Sequence, residues 1–213
     1  MSRPTELTPD DLLASASACR AALAPALECD WEVRARDMDW TCRRTLDHVV
    51  DVLFLYSAHL ATLASSRRPP PRNGDLSASP AELLIAVESG AAVLAGVVRA
   101  APSGSRAFHP AGMADATGFV AMGCEEILAH TWDIAEALGV TFVAPHDLAG
   151  RVVTRIFPWA PEDAPPWDAL LWAAGRIALP GHERLGAEWF WHCAPLAEWD
   201  GSPRQRTAPP TWR

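Results

Sequence analysis

The sequence predicts a mainly α protein: a four-helix bundle with a short, Trp-rich C-terminal α/β appendage. Three observations lead there. Four long segments with a helical apolar repeat occur before residue 140, each bounded by Pro, Gly or Ser. The second of them is apolar on two sides, as a helix buried between neighbours must be. After Gly139 the repeat breaks down and tryptophan accumulates, with seven of the ten Trp between Trp159 and Trp212. The expected division is a metal-binding bundle over residues 1–140, an appendage over 141–201 packed on it, and a flexible tail over 202–213.

The first helix is expected from Thr8, an N-cap followed by Pro9, Asp10 and Asp11, to Leu27. The second runs from about Thr41 to Ala64. Its main stripe is Leu46, Val49, Val50, Leu53, Ser57, Leu60 and Ala64, and His48, Val52, Leu55 and His59 lie roughly opposite. Residues 66–74, with three Arg and three Pro, read as an exposed loop whose Arg cluster is solvated. The third helix opens on Ser79-Pro80-Ala81-Glu82 and runs to Ala101, where Pro102-Ser103-Gly104-Ser105 stops it. The fourth follows His109-Pro110-Ala111-Gly112 and closes at Leu138, with Gly139 as its C-terminal cap. Beyond it, helical pieces fit His146–Ile156 and Trp167–Ala178, and Gly186–Cys193 reads as a strand.

Composition excludes several classes of function. The chain has 213 residues, 18 basic and 26 acidic, for a net charge of −8. That balance lacks the basic footprint of a nucleic-acid binder. Every basic residue is Arg, so lysine nucleophiles and Schiff bases are absent. The five cysteines are widely spaced and contain no CxxC pair, which suits a reduced thiol set. The N-terminal residues show no secretory signal, and no apolar stretch approaches the ~18 residues of a membrane span. A cytoplasmic protein with no membrane partner, monomeric or homodimeric, is the expectation.

The fourth helix carries the chemistry. Glu126 and His130 are i, i+4 neighbours, Asp133 lies one turn on, and all three share a stripe with Phe119, Met122 and Ala137. Burying such charges costs several kcal/mol each unless they are paired or bind a metal. A second acid–histidine pair at this spacing, Glu188 and His192, falls in the strand-like segment, where i and i+4 are far apart. His48, on an otherwise apolar stripe, completes a His₂Glu set with open positions, the composition of a catalytic zinc site. Asp51 and Asp133 are placed to accept from the other ring nitrogen of His48 and His130. Arg44, one turn before His48, is the candidate to hold a substrate carboxylate, and with Asp133 forms the expected catalytic pair.

At these residues the sequence resembles the DinB-like superfamily, and within it the mycothiol-dependent maleylpyruvate isomerase family. The resemblance rests on Trp40-Thr41 followed by His48, on Glu126-x₃-His130-x₂-Asp133, and on Trp189-x-Trp191-His192-Cys193-Ala194-Pro195-Leu196. It implies that His48, Glu126 and His130 bind a divalent metal, usually zinc, and that mycothiol, a low-molecular-weight thiol, is the cosubstrate. The implied reaction is attack of the thiol on a small electrophile, as an S-transferase or a cis-trans isomerase. Only about 60–75 residues follow Gly139, too few for the full second domain of the isomerases it resembles, so maleylpyruvate is not the expected substrate. Two alternatives share the site: metal-hydroxide chemistry of a hydrolase or lyase, and non-catalytic binding of a metal or small molecule.

Overall fold

The computed structural model describes residues 6–206, which form six α-helices and one two-stranded sheet. The helices are α1 (Pro9–Leu23), α2 (Cys42–Ala61), α3 (Pro80–Ala100), α4 (Ala116–Leu138), α5 (His146–Ile156) and α6 (Pro166–Ala173). Strands β1 (Arg106–His109) and β2 (Gly112–Asp115) make an antiparallel hairpin between α3 and α4. Both α1 and α2 pack against α3 and α4, α5 joins α6, and α5 also rests on α4.

The helix starts follow from local chemistry. Thr8 and Ser79 begin α1 and α3 with proline in the first turn. In each case an acid three residues on, Asp11 or Glu82, accepts from the cap backbone N–H at 2.7 and 2.8 Å. Thr41 Oγ1 accepts from the Arg44 backbone at 3.2 Å to open α2. Asp115 Oδ1 does the same for α4 from Gly118 at 2.7 Å. Gly139, at φ 72°, closes α4 in the left-handed conformation glycine tolerates best.

The ends differ from expectation where one residue interrupts the ladder. Pro25 converts the end of α1 into a 3₁₀ turn over Ala24–Ala26, so the helix stops before Leu27. Leu63 adopts a positive φ and α2 ends at Ala61. Gly175, at φ 71°, reverses the chain soon after Ala173 and shortens α6. Residues 113–115, expected in the fourth helix, belong to β2. Pro110 and Ala111 make the two-residue turn, and Phe108 donates from its backbone to Ala64 O, tying the hairpin to the end of α2.

The strand expected at Gly186–Cys193 is absent. That segment is irregular and makes one isolated bridge, Trp189 to Gln205. Its backbone is divided between two partners: Phe190 donates to Arg204 O, and His192 donates to Ile156 O at the end of α5. The C-terminal region is therefore helical and irregular, and the small sheet lies before α4. Of the tail expected at 202–213, residues 204–206 run beside 188–190, and 207–213 lie outside the described residues.

The Arg-rich loop is also less solvated than its composition suggests. Arg67 and Arg68 are exposed, but Arg72 pairs with Asp51 and with fully buried Asp47 on α2. Contrary to expectation, one apolar stretch does reach membrane-spanning length: α3 is long and apolar enough by composition. Its Leu83, Val87, Ala91, Leu94 and Ala95 face the protein core. Gly123 on α4 lies where α1, α2 and α3 crowd in, because a Cβ there would sit 2.7 Å from Leu12, 3.1 Å from Leu94 and 3.4 Å from Leu53.

Candidate metal centre

Helices α2 and α4 bring His48, Glu126 and His130 together, with one ligand atom from each lying within 4.8 Å of the others. Glu126 Oε2 is 3.2 Å from His130 Nε2 and 3.6 Å from His48 Nε2. Ligand atoms bound tetrahedrally to zinc at ~2.0–2.1 Å stand roughly 3.3 Å apart, so the donor set suits such an ion and the two Glu126–histidine separations match it. The cluster could hold a metal ion.

The surrounding groups fix the orientation of two of the three. His130 Nδ1 is 3.0 Å from Asp133 Oδ2, where sequence spacing had placed an acceptor, and its Nε2 therefore points to Glu126. Asp133 in turn accepts from Arg176 Nη2 at 2.9 Å, and Arg176 Nη1 donates to Ala174 O. Tyr56 Oη donates to Glu126 Oε1 at 3.3 Å, leaving Oε2 toward the histidines.

Burial and charge set the protonation states. Burial by itself would lower His130, but hydrogen bonding to Asp133 and Glu126 outweighs it and raises the imidazole to about 9. Burial by itself would raise Glu126, yet His130 and His48 hold it well below the usual carboxylate range. Asp133 falls to about 2 because Arg176 and His130 more than offset its burial. For Glu125, burial reinforced by the neighbouring Glu126 charge outweighs the opposing charges of Arg176 and His130 and lifts it to about 7. Burial raises the thiols of Cys19 and Cys124 to about 12, and those of Cys42 and Cys193 to about 11. None of these four thiols is poised as a nucleophile at neutral pH.

The triad opens into a narrow cavity of about 60 Å³, room for only a few water-sized groups. Beside it is a wider space of about 450 Å³, and Asp37, Met38, Gly175, Arg184 and Ala187 line both. A small group fits the inner cavity, and the body of a larger ligand fits the outer one.

Two sequence candidates lie elsewhere. Arg44 is absent from the cavity walls; its guanidinium lies over Trp40, 4.8 Å from the ring centre, and 3.7 Å from Asp47 and from Asp51. Asp51 accepts from Arg72 and from the Gly74 backbone, and serves this loop clasp. Nearby, His109 on β1 is buried, its ring 5.4 Å from that of Tyr56 and 5.3 Å from that of Trp191.

Sequence reasoning missed Tyr56, Glu125, Arg176, Trp191 and Arg206. Tyr56, the chain's one tyrosine, had a legible signal: it is eight residues after His48, two turns along the same face. Glu125 was hidden by its neighbour in the pair Glu125-Glu126. The others reach the cavity from irregular segments after α6, which no periodicity places. No family model, curated protein or solved structure matches the chain.

Proposed function

We propose that the protein is a divalent-metal-dependent enzyme that turns a low-molecular-weight thiol, mycothiol by sequence resemblance, against a small electrophile. In this reading α1–α4 are a DinB-like four-helix bundle, and the reaction is S-transfer or cis-trans isomerisation. The observation that carries the proposal is the buried convergence of His48, Glu126 and His130 at the base of a cavity, with Asp133 and Tyr56 holding two of them in orientation.

Zinc suits a His₂Glu donor set with an open position, and when bound there it would favour the deprotonated form of a thiol at neutral pH. The chain supplies the rest. Asp133 and Arg176 hold the His130 ring so that Nε2 faces the cavity side of Glu126. Trp189 and Trp191 wall the inner cavity and limit water, while Arg184 and Arg206, rather than Arg44, supply positive charge for an anionic electrophile. The thiolate sulfur bonds to one carbon of an activated double bond, whose π pair moves onto the adjoining electron-withdrawing group. Protonation of that carbanion or enolate completes a transfer, whereas in an isomerisation the molecule rotates about the new single bond, the pair returns to re-form the double bond, and the thiolate is expelled.

Metal analysis and calorimetry test this. Purified protein is expected to carry one divalent metal per chain, and His48→Ala, Glu126→Ala and His130→Ala are each expected to lose it. Mycothiol titrated into metal-loaded protein is expected to release heat and raise the unfolding temperature. Stoichiometric metal with no thiol binding would remove the thiol and leave the hydrolytic reading, which the water-sized inner cavity also accommodates. Loaded protein that turns over nothing, with or without thiol, would leave a binding protein.

A further inference from the structure

An 18-residue stretch of α3 has a mean hydropathy of 1.8, yet 39% of that stretch is buried. Its exposed positions between Glu82 and Arg99 are Ile85, Ser89, Ala92, Val93 and Gly96, none of them charged. On α1 the exposed positions between Asp10 and Arg20 are Leu13, Ala14 and Ser17, again uncharged. The larger apolar side chains stand well out of the surface, with Ile85 53%, Val93 43% and Leu13 38% exposed. The two helices are neighbours, and the ion pairs Arg20–Glu88, at 2.9 Å, and Arg99–Asp10 join their outer surfaces into one face. About 26 Å of α3 and about 15 Å of α1, each about 10 Å wide, present roughly 400 Å² in projection, the size at which an exposed apolar patch calls for a partner.

The pattern of the face specifies the partner. Along α3 the outward positions Glu82, Ile85, Ser89, Ala92, Gly96 and Arg99 recur at intervals of 3, 4, 3, 4 and 3 residues, the seam spacing of two helices packed along their length. A Cβ added to Gly96 would meet nothing within 4 Å, so a second helix has room to approach there. The seam is also complementary to itself end for end. Turned about a two-fold axis between Ser89 and Ala92, α3 sets Ile85 against Gly96 of a second copy, a large side chain into a gap, and Glu82 against Arg99, an acid against a base. Within one chain the Glu82 carboxylate is engaged through Oε2 and the Arg99 guanidinium through Nη2. A lipid surface fits less well, because no Trp lies on α1 or α3 to anchor the face and a net charge of −8 is repelled by anionic headgroups.

We infer that the outer face of α1 and α3 is a two-fold interface for a second copy of this chain, the two α3 helices running antiparallel with Ile85 on Gly96 and Glu82 on Arg99. The interface lies on α1 and α3, whereas the candidate metal ligands lie on α2 and α4, so the inference does not depend on the chemistry of that site. Its area is at the small end for specific association, which sets a micromolar rather than a nanomolar dimer.

Sedimentation equilibrium of the full chain tests this. Wild-type protein is expected to dimerise with a dissociation constant of about 1–10 μM. Ala92→Glu places two acids beside the axis and is expected to raise that constant at least about 30-fold, with the unfolding midpoint unchanged. Glu82→Arg and Arg99→Glu each set like charges at both ends of the seam, and each is expected to be monomeric alone. Mixed in equal amounts, they restore opposite charges at one end and keep the native pair at the other, and are expected to dimerise again. Wild-type chain that stays monomeric at about 100 μM overturns the inference, as does a dimer that Ala92→Glu leaves intact. Failure of the mixed variants to pair overturns the antiparallel register, and the inference with it. If a charge variant fails to fold, the wild-type and Ala92→Glu measurements still decide. Monomeric protein that floats with phosphatidylcholine vesicles assigns the face to lipid and overturns the inference.

Discussion

His130 and Asp133 are joined at 3.0 Å between Nδ1 and Oδ2, one helical turn apart on α4, and that bond aims Nε2 at Glu126. A histidine ligand needs its second nitrogen occupied to fix both tautomer and ring angle. Replacing Asp133 with Asn keeps the shape and removes the charge, and is expected to weaken metal affinity by roughly 10- to 100-fold. Competition with a chromophoric chelator measures this. Unchanged affinity would make Asp133 only an anchor for Arg176.

Metal uptake should depend strongly on pH. In the metal-free protein His130 titrates at about 9, so below that value a metal must displace its proton. Affinity is expected to fall by up to tenfold for each unit of pH lost between about 9 and 6.5, apart from other linked groups. Stability of the metal-free protein runs the opposite way. The folded value lies above the ordinary 6.5, so His130's contribution is full below 6.5 and disappears as pH rises through about 9. Chelator competition and thermal melts across that range check the two signs.

His109 predicts acid lability. Burial lowers it to about 3, so the folded protein keeps it neutral while the unfolded chain protonates it near 6.5. Its contribution is present above 6.5 and declines as pH falls toward 3, by up to ~1.4 kcal/mol per pH unit. His109→Phe is expected to flatten that part of the stability profile relative to wild type. Parallel profiles would show that His109 does not govern it.

Arg72 and Asp47 make a second test of burial. Asp47 is fully buried, and Arg72 with the Asp75 backbone satisfies it. Arg72→Ala removes the hydrogen-bonded cation of that carboxylate and leaves only Arg44, 3.7 Å away, so a loss of about 3 kcal/mol in urea unfolding is expected. A loss under about 0.5 kcal/mol, the range of an ordinary surface substitution, would mean that water replaces the guanidinium.

Gly123→Ala probes the packing behind the metal ligands. The added methyl meets Leu12 at 2.7 Å and Leu94 at 3.1 Å, and overpacking of this kind costs about 1–3 kcal/mol. The expected result is a lower unfolding midpoint with metal binding retained, since the nearest side chains the methyl meets are Leu12, Leu94 and Leu53 and none of His48, Glu126 and His130.

The sequence by itself determined the helices and the three candidate ligands, because both depend on local regularities. Caps such as Thr8, Ser79 and Gly139 act within one turn, and Glu126, His130 and Asp133 fall on one face by the pitch of a single helix. His48 was legible because an imidazole on an apolar stripe needs a partner. Only the tertiary structure decided where the remaining groups went. Arg44 and Asp51 face the loop clasp instead of the cavity because Arg72, 21 residues beyond Asp51, brings a stronger partner to that side of α2. Arg176 finds Asp133 across 43 residues of chain, and Trp191 and Arg206 reach the cavity from a segment whose backbone pairs with its neighbours irregularly. No repeat marks such positions, because their contacts are set by how distant segments cross and not by the period of any one element.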